Sequence, residues 1–360
     1  MRRLAALTAT VVTAAAAVIV VAIVPLAAHK PVTSKYTFSE DVYPIVKEHC
    51  GGCHVPGGIA PMSLMTYEDA RPWAESIRLE LTSGHMPPWY GDPGVAPLRD
   101  VHELSPRDLD VVLTWVTGGT PPGPVVKTTP TGARRTWAKG RPDILLALPA
   151  TVTLPAEKTE DTQEFVLRAD NDRDRTIAFA DLLPGNPSIV HDAIIFSRAQ
   201  QSTDPASVFS SWLPGRTPAP SPGFAFVWRA HEQLVVRIHY KKNWKLENKP
   251  ASDRSAVGLY LTKSAAREMH GVAINSGDAL SEHLQAVAVR VAGPGGDVPL
   301  TIEAIRPDGT RLTIAGFLAR TGWDQRYWLA RPLDLPKGTR IEMSRAAGMN
   351  VRVWLDASTM

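Results

Sequence analysis

Cysteine is nearly absent. The chain has 360 residues and 2 Cys, so no disulfide framework holds it together. An excess of one charge is missing too. Against 39 Lys+Arg stand 36 Asp+Glu, a net charge of +3, and no basic run stands out. That argues against a nucleic-acid partner. Long uninterrupted helices are also excluded, because 31 Pro and 26 Gly punctuate the chain and favour turns and short strands. With 44% hydrophobic and 21% charged residues, the composition is that of a folded protein rather than a disordered one. At about 150 residues per domain, the length allows two or three domains.

The one long uncharged run is at the start. Arg2 and Arg3 precede Leu4 to Ala28, which contains no charge. A basic start followed by an apolar stretch is the pattern of an export signal. The run is also long enough to span a bilayer. Residues 1–30 therefore read as a signal peptide or as an N-terminal membrane anchor. Either way, the rest of the chain is placed in the periplasm or otherwise outside the cytoplasm.

After the leader the texture changes twice. Ser39-Glu40-Asp41 caps a helix bearing Val42, Ile45 and Val46, and Tyr67 to Leu81 reads as a second. Ser105-Pro106 opens a third, with Leu109, Val112, Leu113 and Val116 at helical spacing. Residues 121–141 are rich in Pro and Gly and read as a linker. Beyond it the pattern is β. Leu234, Val236, Ile238 and Tyr240 alternate along Gln233–Tyr240, and Ala286–Val291 is another strand. The runs 300–305 and 310–314 flank the turn Arg306-Pro307-Asp308-Gly309. The fold expected is multidomain: an N-terminal all-α domain over 36–120, then antiparallel, jelly-roll-like β-sandwiches over 142–268 and 269–360.

The strongest chemical signal is Cys50-Gly51-Gly52-Cys53-His54, the C-x-x-C-H signature of covalent c-type haem. Two thiols at this spacing add to the two vinyl groups on one porphyrin edge. The next residue then offers an imidazole to the iron. A Cys50–Cys53 redox disulfide lacks a thioredoxin-like context, and a zinc site has only His49, His54 and His85 nearby. Haem attachment also takes place outside the cytoplasm, as the leader requires. The sixth iron ligand is read as Met86, in a loop stiffened by Pro87 and Pro88. His85, Met62 and Met65 compete, the two methionines being better suited to a core. Trp73, Trp89 and Trp115 are expected to wrap the porphyrin. His102 and His231 receive no role.

Three stretches, FSEDVYPIVKEHCGGCH, IAPMSLMTYEDARPWA and HMPPWYGDP, occur in the order of the haem domain in a bacterial family of exported cytochromes. In that family the haem domain precedes one similar to copper type II, ascorbate-dependent monooxygenases of the peptidylglycine hydroxylase type. The resemblance continues through KGRPDILLALP, PGNPSIVHDAIIF, VRIHYKK, SDRSAVGLY, IRPDGTR and LPKGTRIE. It implies an N-terminal cytochrome c domain with Cys50, Cys53, His54 and Met86 as its haem residues, and two sandwiches, each holding one copper.

The chain departs from the family at the copper ligands. Where the family has an adjacent His-His pair, this sequence has His191-Asp192, and the third histidine matches His239. Two imidazoles and a carboxylate still form a metal-binding set. On a regular strand, however, His191 and Asp192 point to opposite faces, so only a bulge or a strand end brings both to one ion. A metal site requires both imidazoles to lie within about 4 Å of a common point. The region matching the second copper's histidines, residues 290–296, contains none. His270 and His283 lie upstream of it, and Met343 and Met349 are lone methionines.

These readings lead to an extracytoplasmic c-type cytochrome that transfers one electron to a redox partner in the cell envelope. Its β part has reduced or lost copper chemistry. The alternative is a copper-dependent monooxygenase, copper being its second cofactor, with electrons supplied by its own haem. A third reading is a binding module in a larger envelope complex.

Overall fold

The computed structural model describes residues 33–125, 132–202, 205, 207–216, 222–262, 264–293, 298–320, 322–344 and 351–360. The leader, residues 1–30, and Met349 lie outside them. Among the described residues, no helix is long and apolar enough to cross a membrane.

The expected all-α N-terminal domain does not form. Of the described residues, 41% are strand and only 14% helix. A π-helical turn, Phe38–Val42, runs into α1 (Tyr43–His49). A short turn, Tyr67–Ala70, leads through Arg71–Trp73 into α2 (Ala74–Thr82), and α3 is Pro106–Thr117. The helical periodicity is real, but it is too short to make a bundle. Pro56, Pro61, Pro87, Pro88, Pro93 and Pro97 keep most of 50–66 and 83–105 irregular. The α3 start follows its sequence signal: Ser105 Oγ accepts from the Asp108 amide, with Pro106 at the first helical position. Phe38, Val46, Met65, Val112 and Trp115 bury a small core between these segments.

From Ile144 onward the chain is strand after strand. The first seven are β1 (Ile144–Ala147), β2 (Val152–Leu154), β3 (Glu160–Leu167), β4 (Arg175–Leu183), β5 (Val190–Arg198), β6 (Ser207–Trp212) and β7 (Phe224–Trp228). Next come β8 (Gln233–Lys241), β9 (Ala251–Asp253), β10 (Ala256–Leu261), β11 (Arg267–Ile274) and β12 (Leu284–Gly293). The last five are β13 (Val298–Ile305), β14 (Arg311–Ala319), β15 (Trp323–Leu335), β16 (Arg340–Ser344) and β17 (Arg352–Thr359). Leu234, Val236, Ile238 and Tyr240 all face the first core at 0–1% exposure, as the alternation requires. The Pro307-Asp308-Gly309 turn joins β13 to β14, with Gly309 at φ 82.

Two sandwiches share one sheet. The eight-stranded sheet runs β1-β10-β4-β7-β11-β17-β12-β15, and its β7–β11 pairing is parallel. One half packs on the sheet β3-β8-β5-β6, the other on β14-β13-β16. A buried ion pair sits at the junction. Arg326 on β15 meets Asp356 on β17 at 2.6 Å and donates to the Val208 carbonyl on β6.

The segment after α2 is built into the second sandwich. Leu318 donates to the Tyr90 carbonyl, Asp92 to that of Gly316, and Arg99 to that of Trp328, each at 2.8 Å. Trp89, expected to wrap a porphyrin in the helical core, belongs instead to the second sandwich core. Trp115 stays in the helical core, where its indole N–H donates to the Pro121 carbonyl.

Candidate functional site

The Cys-x-x-Cys-His motif lies in the turn that ends α1. Cys50 and His54 amides donate to the carbonyls of Val46 and Cys50, respectively. Both intervening residues must be glycine. A Cβ on Gly51 would meet the Lys47 carbonyl oxygen. One on Gly52 would sit 2.6 Å from the Pro214 oxygen. The motif is thus pressed against the loop that follows β6.

Burial pushes the Cys50 thiol up to about 12 and, against the pull of nearby Arg216, the Cys53 thiol up to about 11. Burial also lowers the His54 imidazole below its usual range. His54 Nδ1 lies 3.2 Å from the Met62 carbonyl. A carbonyl only accepts, so Nδ1 carries the proton and Nε2 keeps its lone pair. This arrangement orients an imidazole for metal ligation.

The residues around the motif fit a covalent porphyrin. Two thiols and an imidazole with a free nitrogen make the donor set. Two buried donors nearby have no acidic partner among the described residues. Arg216 donates to the Pro88 carbonyl at 2.9 Å and lies over Trp89, and the Trp89 indole N–H has no acceptor among the described residues. A porphyrin would bring carboxylates to such donors. Met86 is 41% exposed, while Met65 is buried in the helical core and Met62 packs against it. His85 bonds Ser83 on the surface. His102 carried no sequence signal, yet its ring packs on Trp89 and its carbonyl faces His49 Nδ1. Burial, with Arg216 and His49, pushes it down to about 4.

The second site lies on the sheet β3-β8-β5-β6. In the β5–β8 register, Val190 pairs with Tyr240 and Asp192 with His239, so His191 is an extra residue in a bulge. The bulge removes the strict alternation of a regular strand. His191 Nδ1 and His239 Nδ1 then meet one atom, Asp192 Oδ2, at 2.7 and 2.8 Å. One ligand atom from each of the three residues lies within 4.8 Å of the others. A fourth residue joins from β3. His239 Nε2 bonds Glu160 at 2.6 Å. Thr162 is the register partner of His239, which puts Glu160 diagonally across on the same face. Only the β3–β8 register reveals that neighbour.

Without a metal, His239 is a proton site. The Asp192 hydrogen bond, opposed by burial and aided by Glu160, raises its pKa. Burial opposes ionisation of Asp192, but hydrogen bonds and charge from His191 and His239 hold that carboxyl below its usual range. An ion at the two Nδ1 atoms and Asp192 would displace the shared protons, and Glu160 would then orient His239 from behind. The donor set fits one divalent transition metal.

This cluster borders a cleft of about 310 Å³. Glu160, Asp192 and His239 line one side, and Trp323, Asp324 and Arg352 of the second sandwich line the other. Burial raises the Asp324 carboxyl, whose nearest cation is Arg290 at 3.9 Å. The second wall has no histidine among its described lining residues, so the set for a second copper does not fit there. His283 is elsewhere, bonded to Asp334 at 2.6 Å, and His270 pairs along β11 with Ala357. Met343 packs at the edge of the second core.

Searches against protein-family models and against curated proteins match nothing.

Proposed function

We propose that this chain is an extracytoplasmic haem protein that carries one electron at a time, with haem attached through Cys50 and Cys53. The carrying observation is the His54 Nδ1 contact with the Met62 carbonyl, which leaves Nε2 to grip an iron beside two free thiols. Met86 is the proposed second axial ligand, and the thioether would favour reduced iron. The leader supports export, and a redox protein of the envelope is the partner class. The group supplies reversible iron oxidation. Cys50, Cys53 and His54 would hold it, and Arg216 would neutralise its acidic edge.

A second reading is favoured by the bulge at His191. It gives the cleft a copper ion and makes the chain a haem-fed monooxygenase, with one copper site in place of the two that the resemblance implies.

The test is expression in a host that matures c-type cytochromes, followed by spectra and metal analysis. One covalent haem iron without copper supports the carrier. One iron and one copper supports the second reading. A colourless chain with both thiols free to alkylate overturns both. Met86→Ala should lower the potential and open the iron to added ligands; an unchanged spectrum and potential would remove Met86 as a ligand.

A further inference from the structure

Aromatic side chains run from the loop beside the haem motif to the cleft that borders the His191 cluster. Trp89 lies three residues after Met86, in the loop that Arg216 ties to the haem motif: Gly215 packs on Gly52, and Arg216 bonds Pro88. The Trp89 ring meets Tyr327 edge-on, centroids 4.9 Å apart. The Tyr327 oxygen accepts the Trp323 indole N–H at 2.6 Å. Tyr90 stacks edge-on against the same Trp323 at 4.7 Å. Trp323 then lines the cleft together with Asp192 and His239. Ring thus follows ring from the Met86 loop to the wall of the cleft that faces the metal cluster.

Packing explains part of this. Trp89 and Tyr327 are 8% and 1% exposed and fill the second sandwich core. Packing does not require an indole N–H aimed at a buried phenol, nor an indole placed on the cleft wall. Aliphatic side chains would seal the core as well.

We propose that Trp89, Tyr327 and Trp323 form an electron conduit between a haem at Cys50 and Cys53 and a copper ion held by His191, Asp192 and His239. The proposal rests on the second reading above. One electron leaves iron(II), which becomes iron(III), and enters copper(II), which becomes copper(I). No bond is made or broken and no proton moves. The rings act as a bridge of short contacts, and Tyr327 keeps its phenolic proton. Burial, which raises the Tyr327 pKa, agrees with that.

The experiment uses the full haem-loaded chain with one equivalent of copper(II). The haem is reduced by a light flash, and its reoxidation is followed in the visible band. Reoxidation should be first order, independent of protein concentration, and absent with zinc(II) in place of copper. Trp323→Leu should slow it by about tenfold or more, and Trp323→Phe should restore much of the rate. Haem potential and copper affinity are measured in each variant, since a purely structural role would move those or the unfolding midpoint instead. An unchanged rate in both Trp323→Leu and Tyr327→Phe overturns the conduit, as does a rate that grows with protein concentration. A chain without haem overturns it through the haem reading. A red chain that binds no copper overturns it through the metal reading.

Discussion

Arg326 offers the most direct measurement of what holds the two sandwiches together. Its side chain is 4% exposed and that of Asp356 is 3%. Besides the 2.6 Å ion pair, the guanidinium donates to the carbonyls of Val208 and Phe209, and it lies over Phe226 and Trp328. β15 of one sandwich is thereby fastened to β6 of the other. Replacing Arg326 by Met strands a buried carboxylate and leaves two carbonyls without their donor. Breaking one half of such a pair costs about 3–5 kcal/mol. Removing both charges together, Arg326→Met with Asp356→Leu, should recover most of that loss, because the pair's own desolvation disappears with it. Urea unfolding followed by far-ultraviolet circular dichroism reads the difference as a shift in midpoint. If Arg326→Met lies within about 1 kcal/mol of the parent, the pair does not fasten the two sandwiches. If the double variant is as unstable as the single, the damage is lost packing rather than a stranded charge.

Three further outcomes follow from the sites. In the haem-free folded chain at pH 8, shifts from 9.0 to about 12 and about 11 should slow alkylation of Cys50 about 1000-fold and of Cys53 about 100-fold relative to the urea-unfolded chain. Because these acids bind their protons more tightly when folded, their stabilisation is complete below 9.0 and fades as pH rises towards about 12, so alkali should unfold the haem-free chain; equal labelling rates in native and unfolded protein at pH 8 would contradict this. Gly52→Ala puts a Cβ 2.6 Å from the Pro214 oxygen, backbone that cannot swing away, and should cost about 1–3 kcal/mol in thermal unfolding. Glu160→Gln should weaken metal binding at the His191 cluster by about 10–100-fold in calorimetry, with little effect on the haem spectrum.

Local chemistry was legible in the sequence, and distant geometry was not. The cap at Ser105, the alternation of Leu234 to Tyr240 and the Pro307-Asp308-Gly309 turn rest on neighbours in the chain, and the same elements form in the structure. The all-α expectation failed because periodicity marks where helices start without weighing what lies between them. Irregular chain rich in proline and glycine fills 50–66 and much of 83–105, and part of it joins the second sandwich. Trp89 was misplaced for the same reason, since its partner Tyr327 is more than two hundred residues away. Glu160 and His102 have no local pattern. Glu160 needs the β3–β8 register, and His102 needs the fold of the Trp89 loop.

The His191-Asp192 pair shows how a carboxylate ligand and a register irregularity act together. On a regular strand, a carboxylate next to a histidine would point away from it, and the cluster would hold only two imidazoles. The bulge supplies the missing half-turn, so the Asp192 carboxylate takes the place beside the two rings and receives a hydrogen bond from each. That carboxylate places a negative charge beside the two imidazoles. Glu160 adds another on the far side of His239. A site with two carboxylates this close favours the higher-charged ion, so it would hold copper(II) more tightly than copper(I).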